Sequence, residues 1–96
     1  MTDQLEQNSY CLIRGVFDSD TARHLLMTLI NDKIRFNQRN HLSHLERFGE
    51  DNPAILNRIE ELRQTREDIA LLVEQAAADG LALSVHSEIE IKLIRD

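Results

Sequence analysis

The chain has 96 residues, of which 42% are hydrophobic and 29% are charged, and it contains only three glycines and one proline. This composition excludes a disordered or low-complexity protein, and the length predicts a single domain over residues 1–96. The formal net charge of −6 opposes nucleic-acid binding by the protein as a whole, and the lone cysteine excludes a disulfide within the chain.

The first nine residues are polar and acidic, whereas a signal peptide is basic and then apolar. We therefore predict a disordered tail over residues 1–9 and a cytoplasmic location. No apolar run approaches the roughly 18 residues that span a bilayer, so the sequence predicts no membrane insertion.

The first predicted element is a strand over residues 10–17, which is rich in β-branched and aromatic side chains and ends at the turn-forming segment 18–20. Its apolar residues do not alternate with polar ones. We therefore expect part of the strand to be covered on both faces, with Cys11 as a small buried residue. Gly15 indicates a bulge or a close approach of another group to the backbone.

A helix is predicted next, because Asp18 or Ser19 can cap a first turn and apolar residues follow at helical spacing. That apolar face comprises Ala22, Leu25, Leu26, Leu29, Ile30 and Phe36. The amide-rich segment 37–40 weakens the pattern, and we predict that the helix breaks near residue 40. Alternatively, residues 43–48, which contain the Ser-x-x-Glu spacing of a capping box, form an extra turn or continue the helix.

The second helix is predicted between Asn52 and Gly80, with a length of about 27 residues. Asn52 is a good N-terminal cap, Pro53 suits the first helical position, and Gly80 suits the left-handed conformation that ends many helices. One stripe on this helix repeats at alternating spacings of three and four, as in a helix that packs lengthwise on another helix. The stripe comprises Ile55, Ile59, Leu62, Arg66, Ile69, Val73 and Ala76.

Arg66 is the one charged residue in this apolar stripe. It either fixes the register of the helix pair as a buried charge, or lays its stem along the seam with its guanidinium in water, and we favour the second interpretation. The first helical region is basic and the second is acidic, which favours an antiparallel pair of the two helices.

The last predicted element is a long strand in which Leu81, Leu83, Val85, Ile89, Ile91 and Leu93 alternate with more polar residues. The order strand, helix, helix, strand predicts a two-layer α+β fold, with an antiparallel helix hairpin packed on a two-stranded antiparallel sheet. Such a sheet is marginal alone and leaves two open edges. We therefore expect dimerisation to extend it, through strand pairing or through helix packing.

Two groups of residues have the chemistry of metal ligands. His86, Glu88 and Glu90 share one face of the last strand, where they suit a divalent metal or a small ligand. His41 and His44 are three residues apart, close to Glu46, and would lie on one side of a helix. Neither group supplies a complete ligand set by its spacing, and we favour a solvated strand face, with Arg14 as a cross-strand partner, and solvated histidines near the turn between the helices.

A basic segment on the first helix suggests nucleic-acid binding through Lys33, Arg35 and Arg39. At 100° per residue, however, Lys33 lies far from Arg35 around the helix, so the three side chains do not form one stripe. A thiol–imidazole pair of Cys11 and His86 is also conceivable, but the apolar surroundings of Cys11 do not favour a reactive thiolate.

The sequence contains no phosphate-binding glycine loop and no catalytic motif, and we assign no catalytic residue, no bound metal and no cofactor. We predict a small intracellular homo-oligomeric interaction module with an assembly or regulatory role, as a dimer and with a larger protein as a possible partner. The interface candidates are Ile55, Ile59, Leu62, Arg66, Ile69, Val73, Leu12, Ile89 and Ile91. Ligand or metal binding through His86, Glu88 and Glu90 is the alternative, and nucleic-acid binding is the third.

Overall fold

A computed structural model describes residues 3–95 of the chain. It contains a strand β1 (Asp3–Phe17), a helix α1 (Ser19–Phe48), a second helix α2 (Pro53–Asp79) and a strand β2 (Leu83–Arg95), in that order. The strands form a two-stranded antiparallel sheet, and the helices form a hairpin that packs on it. The predicted strand–helix–helix–strand fold is confirmed.

The two strands pair along their whole length, from Phe17 opposite Leu83 to Asp3 opposite Arg95. This ribbon includes residues 3–9, which we expected to be a disordered tail, while Met1 and Thr2 lie outside the described residues. The reason is that main-chain hydrogen bonds form the ladder whatever the side chains are. Polar residues such as Asn8 and Ser9 can therefore pair with Ile91 and Glu90 on an exposed ribbon.

The register shifts between Cys11 and Ile13, where Leu12 is the extra residue, and again between Gln4 and Glu6. These shifts are β-bulges, which bend a strand and increase its twist. The bulge that we associated with Gly15 lies at Leu12 instead. At Gly15 we find the close approach of another group to the backbone, which was the alternative to a bulge: a Cβ atom there would lie 3.2 Å from the ring of Phe17.

Helix α1 runs without interruption from Ser19 to Phe48, so the predicted break near residue 40 is wrong. The amide residues do not end the helix, since Asn37 donates a side-chain hydrogen bond to the Lys33 carbonyl at 2.9 Å and is thereby accommodated within it. Gly49 ends the helix in the left-handed conformation, with its N–H bonded to the Leu45 carbonyl. Residues 43–48 therefore continue the helix, which was our alternative.

Helix α2 has the predicted bounds and caps. The Asn52 side chain accepts hydrogen bonds from the N–H groups of Ala54 and Ile55, and Pro53 occupies the first helical position. Gly80 closes the helix at φ 66°, where a residue with a Cβ atom would be strained.

The core of the hairpin is a cluster of four buried residues, two from each helix: Ile30, Ile34, Ile59 and Leu62. Ile55 and Ile69 pack against it while remaining partly exposed. Arg66 also faces α1, and its guanidinium donates a hydrogen bond of 2.8 Å to the Asn31 side chain. The predicted attraction between a basic and an acidic helix does not appear as a salt bridge between them. Among the side chains of residues 6–95, every ion pair of an Arg or Lys joins two residues of the same element.

The helices meet the sheet at the end of the ribbon where Phe17 is opposite Leu83, which we call the ribbon base. Ala22 and Val73 are fully buried, and Ala76 adjoins Leu81 and Leu83 in a surface depression there. The molecule is elongated, with extents of 49 × 34 × 16 Å and a radius of gyration of 17.1 Å. A compact chain of this length would have a radius of about 12.5 Å, so the far part of the ribbon is not packed in a globular core.

Candidate functional site

One face of the ribbon is mostly apolar on β2 and is covered at one end only; on β1 the same face also carries Asn8 and Glu6, opposite Ile91 and Leu93. On β2 this face carries every second residue, namely Leu83, Val85, Ser87, Ile89, Ile91 and Leu93. Leu83, Val85 and Ser87 are half-buried next to the helices, whereas every residue from Glu88 to Arg95 is exposed. The covering ends where the helices stop contacting the ribbon.

Beyond this point four large side chains remain in solvent on the same face. Ile89 is 38% exposed, Ile91 48%, Leu93 50% and Tyr10 52%. Tyr10 belongs to this group because it lies directly opposite Ile89 in the β1–β2 register. We call Tyr10, Ile89, Ile91 and Leu93 the distal apolar row.

Two members of this row, Ile89 and Ile91, were interface candidates from the sequence, whereas Tyr10 and Leu93 were not. The alternation along β2 was a sufficient signal for Leu93. No signal for Tyr10 existed in the sequence, because its face depends on the bulge at Leu12 and on the register. Leu12 itself is 54% exposed, at the bulge.

The helical interface candidates lie inside the protomer. Ile59, Leu62 and Val73 are buried, and Ile55 and Ile69 pack on the hairpin core. Arg66 is half-buried and bonded to Asn31 on α1. These residues hold α1 against α2, so the stripe on the second helix is satisfied within one chain.

The opposite face of the ribbon is charged. It carries His86, Glu88, Glu90 and Lys92, and Lys92 forms an ion pair with Glu90 at 3.1 Å. Arg14 lies directly opposite His86 rather than opposite a carboxylate. Among the side chains of residues 6–95, no three of the types His, Cys, Asp or Glu are placed to hold a metal ion together.

Cys11 is exposed, contrary to our expectation of a buried residue, because the register places it with Glu88 on the face of the ribbon that the helices do not cover. Its thiol donates a weak hydrogen bond to the Ile13 carbonyl at 3.5 Å. The residue opposite Cys11 is Glu88, and His86 is opposite Arg14, so the register does not pair the thiol with the imidazole.

The two histidines of α1 have different neighbours near the hairpin turn. The Nε2 atom of His41 lies 3.3 Å from the Asp51 carboxylate, but the geometry is not that of a hydrogen bond, and this buried nitrogen has no hydrogen-bond partner. The His44 ring packs on Phe48, with 4.7 Å between the ring centroids. Glu46, which we grouped with the histidines, is not part of either contact.

The predicted nucleic-acid residues do not act as one patch. Arg35 is bonded to Asp32 one turn earlier on the same helix. Arg39 lines a shallow depression with Arg35, Gln38 and Leu42. Lys33 is not among the residues that line it, as expected from its different angle around the helix.

Comparisons of the chain with protein-family models, with curated proteins and with solved structures gave no match. Among the described residues, neither helix is long and apolar enough to cross a membrane.

Proposed function

We propose that this protein is a small cytoplasmic interaction module that assembles with a second copy of itself, in a structural or regulatory role and without catalytic activity. The observation that carries the proposal is the distal apolar row, which a soluble monomer would leave in water. Contiguous apolar surface of this kind is typical of interaction sites.

The exposed area of the protomer supports a partner of substantial size. The described chain exposes 7342 Å². A compact monomeric protein of 11.1 kDa exposes roughly 5,700 Å² by the usual scaling of area with mass, so this protomer exposes about 1,600 Å² more. Standard interfaces bury about 800 Å² per partner and obligate dimers bury more. The excess area is therefore sufficient for a stable dimer.

The ribbon also has two open edges, since β1 and β2 each pair on one side only within the described structure. Open edges favour pairing with another strand. A second copy presents both a matching apolar face and matching edges, and two-fold assembly is the commonest way to use a self-complementary surface.

The two other functions, ligand binding on the charged face of the ribbon and nucleic-acid binding on the basic segment of α1, have less support. Glu90 is engaged by Lys92, and Arg35 is engaged by Asp32. Ligand binding through His86, Glu88 and Glu90, or nucleic-acid binding through Lys33, Arg35 and Arg39, would each require side chains that the described structure does not bring together.

The test uses one substitution at two positions of the same strand. Ile91→Lys places a charge in the distal apolar row, and Ile94→Lys places the same charge on the opposite face. The two isoleucines are exposed to nearly the same extent, at 48% and 54%. Effects on strand propensity and net charge are therefore matched between the two variants.

Mass in solution is measured by light scattering over a concentration series, with circular dichroism to verify folding. Burial of a half-exposed isoleucine contributes about 1.4 kcal/mol, and a two-fold dimer loses this twice, so Ile91→Lys should weaken dimerisation by at least about 100-fold. Ile94→Lys should leave the dimer intact. A wild-type monomer at all concentrations, or equal effects of both substitutions, would overturn the proposal.

A further inference from the structure

A second feature lies at the opposite end of the hairpin, near the turn between α1 and α2. A surface cavity of about 270 Å³ is lined there by Asn40, Ser43, His44, Arg47, Phe48 and Ile55. The first four carry hydrogen-bond donors and are spaced i, i+3, i+4 and i+7, which places them on one face of α1. Four donors therefore converge on one cavity.

Among the described side chains, none accepts a hydrogen bond from these four donor side chains. Most arginines of the helices are engaged: Arg23, Arg35, Arg58 and Arg63 by carboxylates, and Arg66 by Asn31. Among the side chains of residues 6–95, by contrast, no carboxylate pairs with Arg47, and its guanidinium lies 5.4 Å from the Phe48 ring centroid. The His44 ring also packs on Phe48, with 4.7 Å between the ring centroids. The Phe48 ring thus contacts two of the side chains that line the cavity.

No carboxylate lines this cavity, although the protein has 17 acidic residues and a net charge of −6. Asp51, an acidic residue of the turn between the helices, contacts His41 rather than Arg47. The wall opposite α1 is Ile55, from the first turn of α2, which contains no acidic residue. The α2 side of the cavity therefore adds no acidic side chain, and the negative potential at the C-terminal end of α1 is the one feature that the four donor side chains must outweigh.

We propose that this cavity binds the phosphate group of a small molecule, a role separate from self-association. Arginine binds phosphate through two parallel hydrogen bonds, and a tetrahedral phosphate accepts further bonds from imidazole, hydroxyl and amide donors at once. A planar carboxylate offers fewer acceptor directions to four donors. The volume lies just below the usual range for small-molecule sites, which fits a phosphate or pyrophosphate group rather than a large ligand.

The test is a titration of the isotope-labelled full chain with pyrophosphate at constant ionic strength, followed by NMR of its amide groups. Saturable shifts are expected at residues 40–48 and in the first turn of α2. Arg47→Gln should weaken binding at least ten-fold. Arg39→Gln removes the same charge from the same helix outside the cavity, and it should change the affinity by less than about two-fold.

A parallel titration with malonate distinguishes a phosphate site from a general carboxylate site, and malonate is expected to bind at least ten-fold more weakly. The proposal is overturned by shifts that do not saturate, by equal losses in Arg47→Gln and Arg39→Gln, or by malonate binding as tightly as pyrophosphate. None of these outcomes depends on whether the protein dimerises through the ribbon.

Discussion

Arg66 provides the sharpest test of how the hairpin is held in register. Its guanidinium donates a hydrogen bond of 2.8 Å to Asn31 across the two helices, at a half-buried position. Arg66→Met retains a long apolar stem but removes the charge and the donor. Asn31→Ala removes the acceptor. The double variant then completes a cycle in which the loss of stem packing cancels.

The expected coupling energy follows from the burial of the pair. Hydrogen bonds that involve a charged group contribute roughly 1.5–3 kcal/mol when buried. Because this pair is partly open to water, we expect a coupling of about 1 kcal/mol, equivalent to a shift of roughly 4–8 °C in Tm for a domain of this size. Arg63→Met is the matched control, since Arg63 forms an exposed ion pair of 3.6 Å with Glu60 in the same helix. It should cost less than about 0.5 kcal/mol.

Urea unfolding monitored by circular dichroism gives the four free energies, all at one protein concentration because assembly would shift them. A coupling below about 0.3 kcal/mol would refute the argument. In that case the Arg66 guanidinium behaves as if it were in water, and the hydrogen bond does not fix the register.

Two further outcomes are expected from stability measurements. Ile59→Ala truncates one of the four residues of the hairpin core and should lower the free energy of unfolding in urea by about 3 kcal/mol. Leu56→Ala, at a 39% exposed position of the same helix, should lower it by less than about 1 kcal/mol. Similar losses in the two variants would contradict the assigned core. The hydrogen bond from the Thr21 N–H lowers the pKa of Asp18 below its ordinary value of 3.8. The ionised Asp18 cap therefore stabilises the fold fully above pH 3.8, and this stabilisation is lost as the pH falls through the lower pKa of the folded state. The stability advantage of the wild type over Asp18→Asn, which retains an acceptor that does not titrate, should therefore shrink as the pH falls below 3.8, and a constant difference would contradict this role.

The predictions from sequence succeeded where a local signal was complete. Asn52, Pro53 and Gly80 defined both ends of α2, because caps act within one turn of the chain. The end of α1 was missed for the opposite reason. A run of amide residues lowers helix propensity, but contacts of Ile30 and Ile34 with α2 and the cap at Gly49 outweigh that local preference.

The candidate site depended on information that is not local. The alternation along β2 identified an apolar face, but not where the helices stop covering it. Cys11 was expected to be buried because its neighbours are apolar, yet the pairing of β1 with β2 places it on the uncovered face of the ribbon, opposite Glu88. The cavity near the hairpin turn was not predicted, because the predicted break near residue 40 separated Asn40 from the other donor residues that line it, Ser43, His44 and Arg47.

The pairing of β1 with β2 also determines the order of events when the chain folds. The helices contact each other through segments joined by the short turn at residues 49–52, whereas the whole helical hairpin separates the two strands in the sequence. Closing such a long loop is slower than closing a short one. The hairpin can therefore form first, and β1 waits with an unpaired edge until β2 has been synthesised. During synthesis on the ribosome, the apolar segment 10–13 is the part of this chain most in need of protection from aggregation.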